Sequence, residues 1–345
     1  MNSRERVLAA LSRETPDRVP RCEFAVDRPL AEQLLPVSDL RRDVAADLAS
    51  RLEQNQYSLG EMNRIASLLQ LDNTYYVLRA PIYAERGVGA DGRAFYGAGQ
   101  IQSEDDFDLI RLPDPKNPEL YAEAEVFAQG SGERTACFVT RAGIFPAMLS
   151  LGIENFGLKL YDEPQLVERV LDVYFDWSLE VAERACRLGF DVYVTTDDMA
   201  HKSGPLFSPR VFRELVLPRY RKLRERVTIP WVIHTDGNIL PFVDYFVELD
   251  VAGLHPIEKG AMDIVAMKQR YADHLCLLGN VDLNILGLGT PADVEDEVRE
   301  LIRTVGPGGG YICTSGNSLA SYLKPENVLA LSHAVQKYGA YPIAV

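Results

Sequence analysis

The stretch Trp231-Val232-Ile233-His234-Thr235-Asp236-Gly237-Asn238 decides how this chain is read. An apolar run stops abruptly on a histidine and a carboxylate two residues apart, and glycine follows. Residues i and i+2 of an extended segment project to one side, so His234 and Asp236 are expected together where a strand gives way to a loop.

The pattern repeats on either side. Val251–Leu254 runs into His255-Pro256-Ile257-Glu258, Leu275–Leu278 into Gly279-Asn280-Val281-Asp282, and Tyr311–Cys313 into Thr314-Ser315-Gly316-Asn317. Upstream, Asp191–Val194 ends in Thr195-Thr196-Asp197-Asp198, and Ala136–Thr140 ends in Arg141. Short β-branched and aromatic runs of this kind have the composition of strands buried on both faces of a parallel sheet.

Between them the apolar period is helical. Thr290-Pro291 reads as an N-cap with proline at the first helical position, ahead of Val294, Val298, Leu301 and Ile302. Ser208-Pro209 opens a second segment, and a third, from Pro164 through Cys186, closes at Gly189. With Val19–Val26 and roughly Thr74–Arg79, the count comes to about eight strands, most followed by a helix. No Gly-rich phosphate turn is present, so the expected fold is α/β, a (β/α)8 TIM barrel rather than a doubly wound sheet. A single domain over 1–345 is expected, with a helical insertion from about Leu30 to Leu71 and a hairpin at Gly87–Gly92 after the first strands.

The 345 residues carry 36 basic and 50 acidic side chains, a formal charge of −14. Such a surface repels phosphate backbones and anionic lipids, so neither nucleic acid nor a membrane surface is an expected partner. Five scattered cysteines without a C-x-x-C pair predict buried, reduced thiols. With no signal-peptide pattern and no bilayer-length apolar run, the expected location is the cytoplasm.

Three roles are open to His234 and Asp236. They suit metal ligation completed by His255, Glu258, Asp197 or Asp198, a proton-transfer dyad, or a purely structural loop pair. Asp198 is favoured over Asp197 and joins His234 and Asp236 as the expected catalytic set, while Asp197 is assigned to substrate. One of the two can instead cap the next helix. Lys202, on the same rim, can hold an anionic substrate or sit in solvent. His255 and Glu258 flank a proline, and Asn238, Asn280 and Asn317 are candidate substrate anchors. Gly308-Gly309-Gly310 precedes a strand and reads as a plain loop.

Together these pieces resemble the uroporphyrinogen decarboxylase superfamily, particularly its cobamide-dependent methyltransferase-like branch, over nearly the whole chain. The resemblance rests on Ser3–Leu11 with Pro16–Pro20, the Ser203–Pro209 loop, His234–Asn238, Gly253–Glu258, Gly279–Asp282 and Pro325–Asn327. It implies a (β/α)8 barrel with its site at the carboxyl-terminal mouth. True uroporphyrinogen decarboxylases carry an Arg-Gln-Ala-Gly-Arg segment just after the first strand, suited to a polycarboxylate. Here Arg21–Arg28 contains no such cluster, which disfavours that substrate. The methyltransferase branch holds zinc through a His-x-Cys pair and a later Cys, and so activates a thiol. This chain has His234, but Asp236 stands at the first Cys position; the later one falls near Asn317, with Cys313 displaced along the strand.

The resemblance therefore implies a corrinoid-dependent methyltransferase. It would move a methyl group between a small substrate or acceptor and a corrinoid (methylcobamide) on a partner protein, with Zn2+ or another divalent metal on His234 and Asp236. The chain has no Asp-x-His-x-x-Gly corrinoid segment, so the corrinoid must arrive on another protein. A homodimer is compatible with this reading. The alternatives are a uroporphyrinogen decarboxylase-like carboxy-lyase, a metal-assisted hydrolase using His234, Asp236 and Asp198, and a non-catalytic small-molecule-binding homologue.

Overall fold

In the computed structural model, which describes residues 1–35, 55–89 and 94–343, seven parallel strands stand side by side in chain order. They are Asn73–Val77, Thr135–Thr140, Val192–Thr196, Trp231–His234, Gly253–His255, Cys276–Val281 and Tyr311–Ser315. Nearly every residue in them is buried. Helices cover the outer face and packed side chains fill the inner one, which is why the runs are apolar throughout rather than alternating.

Residues 19–26 close the ring, though not as the continuous strand expected there. Only single parallel bridges join Arg21 to Cys313 and Val26 to Leu319. Pro20 has no N–H to give, and its carbonyl accepts from Cys313 N–H at 2.9 Å, while Arg21 O accepts from Asp72 N–H at 2.7 Å. Side chains complete the pairing. Glu23 N–H donates to Asn73 Oδ1 (3.1 Å), Asn73 Nδ2 donates to Glu23 O (2.8 Å), and Val26 N–H donates to Tyr75 Oη (2.9 Å). The segment is thus the eighth stave of the barrel, lying between Tyr311–Ser315 and Asn73–Val77.

Helices alternate with the strands, including Ala122–Gly130, Pro164–Arg187, Leu217–Arg226, Val243–Glu248, Ile264–Tyr271, Pro291–Val305 and Pro325–Tyr338. Thr290 caps Pro291–Val305 through a capping box with Asp293, leaving Val294, Val298, Leu301 and Ile302 buried on one face. Gly189, at φ 94°, takes the left-handed turn just past Pro164–Arg187. Of the expected helical insertion, Arg28–Leu34 and Leu59–Leu68 are seen, and 36–54 lies outside the described residues. Ala84–Val88 and Ala94–Gly99 form the expected hairpin; its turn at 90–93 also lies outside them. No helix among the described residues is long and apolar enough to cross a membrane.

The Ser3–Leu11 helix is anchored at the amino-terminal end of the barrel by a buried ion cluster. Arg6 Nη1 donates to Asp72 Oδ1 (2.5 Å), Arg6 Nε donates to Asp17 Oδ1 (2.7 Å), and Asp72 Oδ2 accepts from Arg21 N–H (2.9 Å). Arg6 and Asp17 belong to the two opening motifs, so those motifs hold the barrel floor together, away from the mouth.

Candidate functional site

Where Trp231–His234 ends, His234 and Asp236 project to the same side, while Thr235 between them is buried. The turn depends on Gly237. At φ 82° it adopts a left-handed conformation, and a Cβ there would lie 2.5 Å from the carbonyl of Ala200. Asp198, two residues beyond Val192–Thr196, reaches the same point, and its Oδ1 accepts from Asp236 N–H at 3.0 Å. His234 Nε2 then sits 3.8 Å from Asp198 Oδ1 and 3.7 Å from Asp236 Oδ1.

The other side of the imidazole is fixed by His255 at the end of Gly253–His255, with the two Nδ1 atoms 2.6 Å apart. One ring donates and the other accepts. Burial pushes the pKa of His234 down, and burial together with His234 does the same to His255, so both rings are neutral near pH 7. Asp236 moves the opposite way. Burial, then Asp198, then Glu258, raise its pKa to about 8. Asn317 Nδ2 donates to Asp236 Oδ2 at 2.5 Å, whereas the buried Asp236 Oδ1 has no hydrogen-bond partner.

These residues fit a divalent metal. One ligand atom each from Asp198, His234 and Asp236 lies within 4.8 Å of the others. Oxygen and nitrogen ligands about 2.1 Å from a tetrahedral ion stand about 3.4 Å apart, slightly closer than the 3.8 and 3.7 Å from His234 Nε2 to the two carboxylates. The unpartnered Asp236 Oδ1 is one such donor, facing the imidazole nitrogen. No thiolate contributes. Cys313 is buried within Tyr311–Ser315, and burial pushes its pKa up to about 11.

Asp198 and His234 line a cavity of about 260 Å³ whose walls also include Phe24, Tyr75, Phe145 and Asn317, whereas Asp236 is not among its lining residues. His255 lines it as well, and Glu258 supports its rim by accepting from Gly237 N–H at 2.8 Å. Besides Asp236 and Glu258, four expected contacts are not brought to its walls. Asp197 is fully buried and accepts from the amides of Ala142, Gly143 and Phe145, capping the Ile144–Leu151 helix. Asn238 Oδ1 accepts from Leu240 N–H, and the buried Asn280 donates to Ile257 O. Lys202 is solvated at the tip of a small hairpin, 3.4 Å from Glu258 Oε1.

The cavity also contains two arginines that the sequence reading left without a role, Arg79 and Arg141. Each follows the end of a barrel strand, the same signal that selected His234. Arg141 is 5% exposed, and burial together with Arg141 pushes Arg79 down to about 9.

Residues 96–338 match the family model described as uroporphyrinogen decarboxylase (URO-D). A uroporphyrinogen decarboxylase of Methylibium petroleiphilum is 26% identical over 193 residues, covering 52% of this chain and 49% of its own. A methylated-thiol–coenzyme M methyltransferase of Methanosarcina mazei is 23% identical over 152 residues, 44% of this chain and 40% of its own. The chain thus spans about half the length, or less, of these curated relatives. Among solved structures, a methyltransferase from Methanosarcina mazei superposes with a TM-score of 0.77 over 98% of this chain and 99% of its own, at 19% identity. That likeness shows a shared barrel fold.

Proposed function

The chain belongs to the uroporphyrinogen decarboxylase family, and on that premise we propose that it is a methyltransferase. It would move a methyl group between a small substrate or acceptor and a corrinoid carried by a separate protein. The observation that carries this reading is the convergence of Asp198, His234 and Asp236, with a buried carboxylate oxygen lacking any hydrogen-bond partner opposite the imidazole. Cavity size supports it. At about 260 Å³ the space falls below the ~300–1,000 Å³ usual for ligand sites, and it suits a small molecule better than a tetrapyrrole bearing many carboxylates.

In this reading Asp198, His234 Nε2 and Asp236 would hold a divalent metal. Such a metal would lower the pKa of a coordinated thiol or hydroxyl, supplying a nucleophile at neutral pH. His255 sets the tautomer. With His234 Nδ1–H donating to His255 Nδ1, the Nε2 lone pair is turned toward the two carboxylates. Asp236 gives up its proton when it ligates, and Asn317 orients its other oxygen. Phe24, Tyr75 and Phe145 give the cavity apolar walls that exclude water from the reacting atoms.

The test places two reactions side by side. The full chain is incubated with uroporphyrinogen, and separately with methylcobalamin and a thiol or a phenol as methyl acceptor. Methyl transfer without release of CO2 is expected; efficient release of CO2 from uroporphyrinogen would replace this reading with a carboxy-lyase.

A further inference from the structure

Arg141 has an unusual environment for a cation. It follows Thr135–Thr140, is 5% exposed, and two of its buried nitrogens, Nε and Nη1, have no hydrogen-bond partner. The nearby carboxylate of Asp197 interacts with it electrostatically, but both of its oxygens are engaged by backbone amides. The guanidinium lies 5.5 Å from the centre of the Phe145 ring, and both residues line the cavity beside Arg79. Asp197 offsets part of the charge, but two guanidinium N–H groups stay buried without an acceptor, which is costly, and a second cation nearby adds to that cost. An incoming anion would satisfy the two Arg141 donors.

We propose that Arg79 and Arg141 form a subsite for a small monocarboxylate whose apolar body packs against Phe24, Tyr75 and Phe145. This rests on the methyltransferase reading above and names its substrate class: the carboxylate is the handle, and the opposite end of the molecule is presented to His234 and Asp198. A guanidinium fork matches the two oxygens of a planar carboxylate. A dianionic phosphate fits less well, because Asp27 and Asp198 also line the cavity and would repel the second charge. Tyr57 and Tyr75 add aromatic wall. Tyr57 donates its hydroxyl to Val26 O (2.9 Å), whereas Tyr75 accepts from Val26 N–H (2.9 Å) and keeps its own hydroxyl proton to donate. Holding the substrate by a group remote from the reacting atom is a common way to use binding energy for orientation.

The test is calorimetric titration of the full chain with benzoate, 4-methoxybenzoate, phenylacetate and hexanoate, each beside its neutral primary amide, and with inorganic phosphate. At least one carboxylate should bind at least tenfold more tightly than its amide and more tightly than phosphate. Arg141→Gln should erase that preference while keeping a cooperative melting transition without ligand. The proposal is overturned if no carboxylate surpasses its amide, if phosphate binds most tightly, or if Arg141→Gln keeps the preference. Should that variant aggregate, the wild-type acid and amide comparison still decides. The titration contains no corrinoid, so a chain that moves no methyl group still reports on the arginine pair. A failed carboxylate titration likewise leaves the methyl-transfer assay to be judged on its own result.

Discussion

Burial, Asp198 and Glu258 together keep a proton on Asp236 up to about pH 8 in the metal-free chain. The unfolded carboxyl, near 3.8, has already lost that proton, so between roughly pH 4 and 8 the native state binds more protons and stability falls as pH rises. Asp236→Asn removes this slope. After chelation the variant should melt above the wild type at pH 8, with the difference shrinking toward pH 4; a difference independent of pH would contradict the assignment. Divalent-ion affinity of the wild type should climb over the same range, with a proton released on binding and detected by titration in buffers of different ionisation enthalpy. Arg6 provides a second test. Arg6→Ala strands the buried Asp72 and should cost about 3–5 kcal/mol in urea unfolding, most of it from that pair, because Asp17 is half exposed. A loss under about 1 kcal/mol would show that the opening motif is not an anchor. Sequence alone left the Asp197-Asp198 doublet divided between two roles. Extended backbone sends alternate side chains to opposite sides, so Thr196 and Asp198 reach the cavity while Asp197 turns into helix-capping amides.

Among elements, the seven laddered strands were legible because apolar runs ending in polar residues are what a barrel with covered faces requires. The Thr290 cap and the Pro164–Arg187 helix were legible from local chemistry. Residues 19–26 were legible as a stave but not as a stave without a ladder, because the missing pairs are supplied by Asn73 and Tyr75, about fifty residues away in sequence. Asn73→Ala tests that closure. It leaves Glu23 N–H and O unpaired in the core and should cost about 2–6 kcal/mol by chemical unfolding, at about 1–3 kcal/mol per stranded group. A loss below 1 kcal/mol would mean that the bridges at Arg21 and Val26 close the ring unaided. Arg79 and Arg141 escaped notice for a related reason: an arginine after a strand reads as a solvated residue until the burial of its guanidinium is known.

At the scale of the whole molecule, the barrel brings the ends of Val192–Thr196, Trp231–His234 and Gly253–His255 to one mouth. Side chains from distant parts of the chain thereby meet in a single corner whose ligand atoms could hold a metal ion. The order of elements showed where that corner lies; which side chains meet there depended on turn geometry at Gly237 and on the hydrogen bonds of Asp198 and Asn317. Cys313, the displaced thiol, is buried in its strand and takes no part. The most direct measurement is the absorbance of methylcobalamin, followed anaerobically with a thiol or a phenol as methyl acceptor, for the wild type, His234→Ala and Cys313→Ser. The account predicts loss of the methylated corrinoid spectrum with the wild type, no reaction with His234→Ala, and a near wild-type rate with Cys313→Ser. Undiminished methyl transfer by His234→Ala would contradict it.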